Sequence, residues 1–418
     1  MAQVKVGIIG GGIVGPVIAT LLKQQGYEPI IFERNDSVPE GGIGIGIQTN
    51  GLAVLQRIPG LIDTLGGRYL DYFNFYSVLP EDPGLLGALD APKKRREATG
   101  AGTLGVRRSA LQHALVAAAA RAGVDVRWGH HLTALAQYNG EVVLTFANGA
   151  RETVAFAVGC DGLHSDTRKA LFGEERADYT GLCQIGGYAP MPASFEGKSM
   201  AMNVFGDGAH MITVPVGADT VGWAVTTREA EAKETWRAMD AAAADAFKNN
   251  SPMAQWGYGA GEIVRNAQTL TKYGLYDRPE LPTWHAGRVV LIGDAAHPTS
   301  PHLGQGANQA FEDAALLADL LAQHNPPPTA SPSLSTPSTP SSPSSAPPPN
   351  PPTPTLEAAF AALEGARIPR TAALVKKARE QGETRVVHGV PACLARNQWY
   401  RELLGDEAAL RARFAPPA

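Results

Sequence analysis

The chain has 418 residues, of which 44% are hydrophobic, and 36 Lys and Arg against 40 Asp and Glu give a formal net charge of −4. This length exceeds what one simple core needs, so we expect two domains with appendages. The near-neutral charge does not indicate a nucleic-acid-binding protein, which usually carries a strongly basic surface. The three scattered cysteines predict neither a disulfide framework nor a metal site. No apolar run reaches the roughly 18 residues of a membrane span, and a strand begins too early for a signal peptide. We therefore expect a soluble, cytoplasmic monomer or homodimer without nucleic-acid or membrane partners.

The N-terminal segment carries a dinucleotide-binding pattern. An apolar strand to Ile9 precedes Gly10-Gly11-Gly12-Ile13-Val14-Gly15, a helical run to Gln25 and a second strand to Phe32. Gly10 would permit the tight turn, Gly12 would let a pyrophosphate approach the backbone, and Gly15 would let helix and strand pack closely.

The second strand ends at Glu33, whose carboxylate would accept hydrogen bonds from the hydroxyls of an adenosine ribose. We assign Glu33 and its neighbour Arg34 to the cofactor site, where the acid would repel a ribose 2′-phosphate. The pattern predicts a dinucleotide but does not separate NAD from FAD.

A second match to the glycine pattern, Gly100–Gly105, lacks this context because the polar segment before it cannot form a buried strand. We predict a loop there and a solvated charge run at Lys93–Arg96, with weak attraction of NADPH phosphates as the alternative. The alternating Gly and Ile of Gly41–Gln48 predict a backbone that approaches a ligand closely, with a flexible loop as the alternative.

Three further strands precede the decapeptide Gly159–Arg168, which reads GCDGLHSDTR. Asp161 at a strand end can accept backbone N–H bonds and brace a pyrophosphate loop. Ser165 would cap the next helix, and Arg168 would offer donors that suit a phosphate. A capped turn without a ligand remains the alternative.

From Tyr179 to about Pro282 the pattern changes to short alternating strands, which predict an antiparallel sheet. Its inner face would carry the substrate. The candidate lining residues are Tyr188, Asn203, His210, Thr213 and Trp223, and of these Tyr188 and His210 are the candidates for a catalytic role, although an ordinary sheet residue is the alternative for each.

The segment Gly287–Leu321 combines a strand, an acid, a glycine-rich loop and a helix. Asp294 at the strand end can accept hydrogen bonds from hydroxyls, and Gly304 and Gly306 let the backbone lie against a flat ring. The N–H groups at the helix start favour negative charge. This arrangement suits a sugar-alcohol chain attached to a ring that becomes anionic when it is reduced. It therefore favours FAD over NAD.

Thirteen of the 32 prolines lie between Asn325 and Thr355, and this composition predicts a disordered linker. Helix resumes after it. The predicted organisation is an FAD-binding domain at 1–178 and 283–324, a substrate sheet domain at 179–282, the linker at 325–355 and a C-terminal helical segment at 356–418.

The segment GDAAHPTSPHLGQGANQAFEDA resembles the second flavin-binding motif of the FAD-dependent aromatic hydroxylases, the class A flavoprotein monooxygenases of the p-hydroxybenzoate hydroxylase family. The Gly10–Gly15 and Gly159–Arg168 segments resemble two further motifs of that family, in the same order. The resemblance implies an α/β fold with a Rossmann-like FAD-binding domain, an inserted antiparallel-sheet substrate domain and C-terminal helices.

The resemblance also implies residue roles. Residues 41–48 would cover the flavin ring, and Arg108 would lie near the ribityl and pyrophosphate portion. Pro301 would form a wall beside the ring. Gly304, Gly306, Ala307 and Asn308 would stabilise negative charge at the flavin N1–O2 locus.

By resemblance the protein is a monooxygenase that uses FAD, transient NADPH or NADH, and O2 to hydroxylate or epoxidise a small aromatic, polyketide-like or terpenoid-like molecule through a flavin C4a-hydroperoxide. Such chemistry belongs to the cofactor, so no catalytic triad or metal is expected. A secondary-metabolism role is compatible with the Pro/Ser-rich insert. A flavin-dependent halogenase, a non-catalytic flavin-binding protein and a plain NAD-dependent dehydrogenase are the alternatives.

Overall fold

The computed structural model describes residues 4–195, 197–230, 237–324, 350–406 and 410. Short 3-10 turns at Gly293–Ala295 and Pro301–Leu303 flank the loop that precedes the ninth helix. The helices, in chain order, are α1 Val14–Gln24, α2 Thr49–Leu55, α3 Leu61–Thr64, α4 Ala91–Thr99, α5 Arg108–Arg121, α6 Asp166–Phe172, α7 Ala241–Asn250, α8 Ala260–Arg265, α9 Gly306–His324, α10 Thr353–Arg385 and α11 Val390–Gly405.

The strands form four sheets among the described residues. In chain order they are β1 Lys5–Ile9, β2 Glu28–Phe32, β3 Gly44–Ile47, β4 Arg68–Leu70, β5 Tyr72–Ser77, β6 Gly84–Leu89, β7 Thr103–Arg107, β8 Asp125–Arg127, β9 Leu132–Tyr138, β10 Glu141–Phe146, β11 Arg151–Val154, β12 Phe156–Gly159, β13 Asp178–Pro190, β14 Met200–Phe205, β15 Ala209–Pro215, β16 Thr220–Arg228, β17 Arg237–Ala238, β18 Thr271–Asp277, β19 His285–Ala286 and β20 Val289–Leu291.

A parallel sheet of order β20-β12-β1-β2-β8, with β19 antiparallel at one edge, is the centre of the first unit. The last four residues of β1 are buried, and the apolar side of α1 joins the same core as β1, α5 and α9. Parallel strands present their carboxyl ends at one edge of a sheet, so the turns after β1, β2, β12 and β20 lie together there. The predicted Rossmann-like unit is confirmed.

The large sheet has the order β17-β18-β13-β16-β15-β14-β5-β6. Neighbouring strands pair antiparallel, except that β5 pairs parallel with β14, with Tyr72 opposite Met200 and Ser77 opposite Phe205. The predicted antiparallel sheet is confirmed and is larger than expected. It draws on residues 72–89, which the sequence had grouped with the FAD-binding segment that ends at 178.

The predicted loop at Gly100–Gly105 is wrong, whereas the side chains of the charge run before it are partly or fully exposed. The basic segment Lys93–Arg96 forms part of α4, with Pro92 near its start, and the second glycine match contains β7 instead of a loop. β7 lies between β3 and β4 in a small sheet, and its Gly105 fits closely against Pro215 of the large sheet: an ideal Cβ there would lie 2.0 Å from the Pro215 carbonyl oxygen. The glycine at position 105 thus allows the backbone of β7 to pack closely against the large sheet, so this match to the glycine pattern reflects packing.

The C-terminal helices connect the two units. α10 packs against α9 and the Pro301–Leu303 turn, and α11 packs against β6. Most of the predicted linker, residues 325–349, lies outside the described residues, and the first residues of α10 occupy its predicted end at 353–355. None of the helices in the described ranges combines the length and apolar character that a bilayer crossing needs.

Candidate functional site

The glycine-rich turn after β1 shows three different uses of glycine. Gly10 has a φ of +106°, and an ideal Cβ there would lie 2.6 Å from the Cys160 carbonyl oxygen. At Gly15 a Cβ would lie 1.9 Å from the carbonyl oxygen of Gly10. At Gly12, by contrast, no atom lies within 4 Å of the ideal Cβ position. Gly10 and Gly15 therefore serve the packing of the turn, whereas the space beside Gly12 is open.

Glu33 lies at the end of β2 and is 6% exposed. Its Oε2 accepts a hydrogen bond from the Gly11 backbone N–H at 2.7 Å, and Oε1 accepts bonds from the backbone N–H of Asn35 at 2.9 Å and from its side-chain amide at 2.7 Å. These bonds fix the carboxylate beside the glycine turn. Arg34, the next residue, is exposed.

Asp161 follows β12 and organises the first turn of α6. Its carboxylate accepts hydrogen bonds from the Ser165 hydroxyl at 2.5 Å and from the Thr167 backbone N–H and hydroxyl, each at 2.9 Å. Burial raises the pKa of Asp161, and these bonds oppose that rise. Ser165 caps α6 through the Arg168 N–H at 2.8 Å, which confirms the predicted cap.

The expected phosphate role of Arg168 does not fit the structure. Its side chain is 3% exposed, forms an ion pair with Glu175 at 2.5 Å and donates to the carbonyl oxygens of Ala296 and Pro279. The arginine therefore ties α6 to the turn after β20, and its donors already have acceptors within the protein.

Asp294 differs from every carboxylate described so far. It is exposed although Gly293 and Ala295 beside it are buried, and no described residue forms a hydrogen bond with its side chain. Desolvation by the surrounding protein raises the pKa of Asp294, while His297 and Arg108 act in the opposite direction. An ideal Cβ on Gly306, at the start of α9, would lie 3.9 Å from Asp294 Oδ1. The acid thus faces the helix N-terminus with its acceptors free for a ligand hydroxyl.

Behind this turn lies a fully paired set of side chains, His297, Asp313 and Arg367, here called the Asp313 cluster. Asp313 Oδ2 accepts from the Gly293 backbone N–H at 2.9 Å and contacts His297 Nε2 at 2.6 Å, and Oδ1 accepts from Arg367 Nε at 2.7 Å. Burial acts to raise the pKa of Asp313, but His297, Arg367 and these hydrogen bonds lower it overall.

The Asp313 cluster was not found from the sequence. Asp313 belongs to the FEDA end of the resembling motif, and Arg367 lies 54 residues later in the segment Glu364-Gly-Ala-Arg367-Ile-Pro-Arg370, where the i,i+3 spacing would allow Glu364 and Arg367 to pair. In the structure Glu364 instead contacts His285 at 2.6 Å. The sequence shows only the spacing of these charges, whereas the partner of Arg367 lies on a different helix, α9.

Asn308 was expected to bind the cofactor, but its side chain bonds to other parts of the protein. It is fully buried, its Oδ1 accepts from the Gln48 backbone N–H at 2.9 Å, and its Nδ2 donates to the carbonyl oxygens of Gly46 and Gly304 at 3.1 and 2.8 Å. It therefore joins β3 to the glycine loop. The first helical N–H bond of α9 is that of Gln309 to Gln305, so the backbone N–H groups of Gly306, Ala307 and Asn308 have no intrahelical acceptor.

Arg108 begins α5 beside these elements. Its backbone N–H donates to the Tyr188 hydroxyl at 3.3 Å, and its side chain lies against Gly42, whose ideal Cβ would be 3.0 Å from Arg108 Cδ. Desolvation lowers the pKa of Arg108, and Asp294, Tyr188 and Glu33 oppose this by favouring the charged form. Pro301 and Gly304 are exposed on the facing loop. The structure thus places Arg108 close to Glu33 and Asp294, which follow two strands of the parallel sheet, and to Tyr188 and Gly42.

Comparison with known proteins agrees with this geometry. Residues 3–326 match the family model described as FAD binding domain. A 6-hydroxynicotinate 3-monooxygenase from Pseudomonas fluorescens is 30% identical over 336 residues, which cover 76% of this chain and 83% of that protein. The chain belongs to the FAD-dependent aromatic hydroxylase family. It is accordingly an FAD-dependent monooxygenase.

Two further relatives extend the match over the C-terminal helices. A 3-amino-4-hydroxybenzoate 2-monooxygenase from Streptomyces cremeus is 27% identical over 402 residues, 96% of this chain and 92% of that protein. The crystal structure of Klebsiella pneumoniae HpxO complexed with FAD and uric acid has the same fold, with a TM-score of 0.78, 22% identity and coverage of 98% of this chain and 96% of that one.

As in any sheet, the predicted substrate-lining residues divide between two faces. Register places Thr213 opposite Trp223, and Trp223 packs with Met202 and Met211 in the apolar core that the sheet forms with α8. Thr213 and Trp223 therefore face away from the hydroxylase cofactor site. Asn203 and His210 share the opposite face with Tyr188, whose hydroxyl contacts Arg108.

His210 is a poor base in this environment. It is 1% exposed and its Nε2 lies 3.0 Å from Asn203 Oδ1. Burial, together with Arg385, His302 and Arg396, lowers the pKa of His210 well below its usual value. Burial also raises the pKa of the Tyr188 hydroxyl. Among the described residues, no group of His, Cys, Asp and Glu is arranged to hold a metal ion.

Proposed function

We propose that this monooxygenase hydroxylates a small aromatic ring that carries a hydroxyl group, with NADPH or NADH as the reductant. The observation that carries the proposal is the exposed, unpaired Asp294 at the shared strand edge, near Arg108, whose backbone N–H contacts Tyr188 on the polar face of the large sheet. The relatives point to the same class of substrate, because 6-hydroxynicotinate and 3-amino-4-hydroxybenzoate are both hydroxylated rings.

The residues at this strand edge and around Arg108 fit FAD. Gly12 would admit the pyrophosphate, Glu33 and Arg34 would contact the adenosine end, and Asp161 would brace the turn beside it. Arg108 and Asp294 would bind the ribityl and phosphate portion, and the free N–H groups of Gly306, Ala307 and Asn308 would stabilise negative charge at the ring. The bound flavin supplies the redox chemistry and the activation of O2.

The remaining task of the protein is to hold a substrate ring and exclude water. Gly304 and the exposed ring of Pro301 would contact the flavin from the loop side, while Tyr188, linked to Arg108, would close the sheet side. Cys160, Cys183 and Cys393 are free and buried, which supports action in a reducing compartment such as the cytoplasm.

The test is the absorption spectrum of the purified protein followed by NADPH and NADH oxidation with a panel of phenols and hydroxylated aromatic acids. We expect flavin bands, and reductant consumption that one compound stimulates with formation of a hydroxylated product. Flavin bands without stimulation by any compound would contradict the proposed substrate class, and stimulated oxidation that yields only hydrogen peroxide would contradict hydroxylation.

A further inference from the structure

A second buried cluster lies next to the loop that follows Asp294. It consists of Ser300, His302 and Arg385, here called the Arg385 cluster, and these residues are 7%, 5% and 9% exposed. The Ser300 hydroxyl, both ring nitrogens of His302 and Nε of Arg385 are buried without a hydrogen-bond partner. Buried polar groups in native proteins are nearly always paired, so such a concentration of unpaired donors indicates a missing ligand.

Arg385 is the charged member of the cluster. It ends α10, and its Nη1 donates to the His302 carbonyl oxygen at 2.8 Å. No carboxylate in the described parts of the chain forms an ion pair with it. A buried cation without a counter-charge is costly in free energy, and an anionic ligand removes that cost.

The surroundings do not supply the missing negative charge. Burial and the nearby Arg385 lower the pKa of His302 to about 3, so its imidazole is neutral at pH 7. Arg396, the next cation, donates to the Gly206 carbonyl oxygen at 2.9 Å and to Asn397 Oδ1 at 3.0 Å, and it lies over the Phe205 ring at 5.0 Å. Arg396 is therefore satisfied within the protein, and Arg385 is not.

The position of the cluster connects it to the cofactor site. His302 directly follows Pro301 in the short turn that Gly304 ends, and its ring lies against Gly382 of α10, where an ideal Cβ would be 2.5 Å from Nε2. His210, on the polar face of the large sheet, lies near enough to Arg385 for that charge to lower the pKa of His210. Loop, sheet and C-terminal helix thus converge at the Arg385 cluster, directly beside Pro301, which we expect to line the flavin ring.

We propose that Arg385, with His302 and Ser300, binds the carboxylate of an aromatic acid substrate, an assignment that rests on the proposed function. A guanidinium pairs with a planar carboxylate in two parallel hydrogen bonds, and a neutral imidazole and a hydroxyl add donors without further charge. The single guanidinium of the Arg385 cluster matches a monoanion, so the substrate class is a hydroxylated aromatic monocarboxylic acid.

The experiment uses the FAD-loaded full-length protein and three matched probe pairs: salicylate and salicylamide, 6-hydroxynicotinate and its amide, and 3-amino-4-hydroxybenzoate and its amide. Dissociation constants are measured from the perturbation of flavin absorbance. We expect the wild type to bind at least one acid about 10- to 100-fold more tightly than its amide, the range for a charge-assisted hydrogen-bonded pair. Equal binding of acid and amide in every pair, or no acid binding at all, would overturn the proposal.

The variants Arg385→Met and Arg385→Lys locate the effect. Arg385→Met should abolish the preference for the acid, because acid binding falls to about the level of amide binding, while Arg385→Lys should retain part of the preference because it keeps the charge. The amide serves as the internal check on folding. Arg379→Met is the matched control, because Arg379 lies on the same helix but is exposed and paired with Asp277. An acid preference that survives in Arg385→Met would assign the carboxylate to another residue.

Failure of this proposal can be separated from failure of the proposed function. Stimulation of reductant oxidation and hydroxylation of neutral phenols, without any preference for acids, would leave the hydroxylase function in place and overturn the role of Arg385. Absence of hydroxylation with acids, amides and phenols alike would count against the proposed function, while the binding constants would still decide whether Arg385 recognises a carboxylate.

Discussion

Two buried polar clusters each include side chains of the same loop, residues 293–306. They differ in how their hydrogen bonds are satisfied. In the Asp313 cluster the carboxylate has a histidine, an arginine and a backbone N–H as partners. In the Arg385 cluster four polar atoms have none. The first arrangement is complete within the protein and holds the turn that carries Asp294. The second is incomplete, which is the property expected of a binding surface before its ligand arrives.

The largest expected effect comes from breaking the complete cluster. Asp313→Ala leaves Arg367 and His297 without their buried acid, and loss of one partner from a buried pair typically costs about 3–5 kcal/mol. Urea unfolding of the FAD-loaded protein measures this loss. Asp319→Ala, on the same helix but in an exposed pair with Arg57, should change the free energy of unfolding by less than about 1 kcal/mol. A similar small loss for both variants would show that the Asp313 cluster does not support the fold.

Asp294 lies on the turn that the Asp313 cluster holds, and its loss should affect cofactor binding instead of folding. Asp294→Ala removes the unpaired acceptors at the strand edge, and we expect the FAD dissociation constant to rise about 10- to 100-fold, as for loss of a hydrogen bond to a charged group. Flavin titration of the apoprotein measures the constant. Asp294→Asn keeps one acceptor oxygen, so its FAD dissociation constant should lie between those of Asp294→Ala and the wild type. An Asp294→Ala protein that retains FAD fully would refute the assigned role.

The pH dependence of stability should reveal the buried neutral histidine of the incomplete cluster. The folded state holds the pKa of His302 at about 3, below its usual 6.5, so between these values the unfolded chain binds more protons. Stability should therefore fall as the pH is lowered from 6.5 towards 3, by up to about 1.4 kcal/mol per pH unit from this residue. Urea unfolding at pH 4, 5, 6 and 7 gives the slope. His302→Leu should flatten it, and an unchanged slope would show that His302 does not titrate in this way.

The smallest effect should come from removing the unpaired imidazole at neutral pH. Both ring nitrogens of His302 lack partners, so His302→Leu deletes no hydrogen bond of the side chain and should change the free energy of unfolding by less than about 1 kcal/mol at pH 7. The same variant should bind an aromatic acid less tightly. A loss of stability as large as that of Asp313→Ala would mean that the Arg385 cluster also serves the fold.

Local chemistry explains what could be predicted. The glycine turn after β1, the Ser165 cap and the acid after β20 each depend on residues within a few positions of one another, so the sequence carries their signal directly. The decoy at Gly100–Gly105 shows the limit of this signal, since the same spacing serves close packing of β7 against Pro215. A glycine motif indicates that the backbone approaches a neighbour closely. The surrounding elements determine whether that neighbour is a ligand or another strand.

The sequence by itself determined the strand-edge turns, the alternating strands of the large sheet and the family. Only the tertiary structure showed that β5 joins that sheet beside β14, that Arg367 completes the Asp313 cluster and that Arg385 meets His302 across 83 residues of chain. It also divided the predicted lining residues, with Thr213 and Trp223 on the core face. The physical reason is that hydrogen-bond partners for a buried charge are chosen by packing between distant elements, and no spacing rule along the chain encodes that choice.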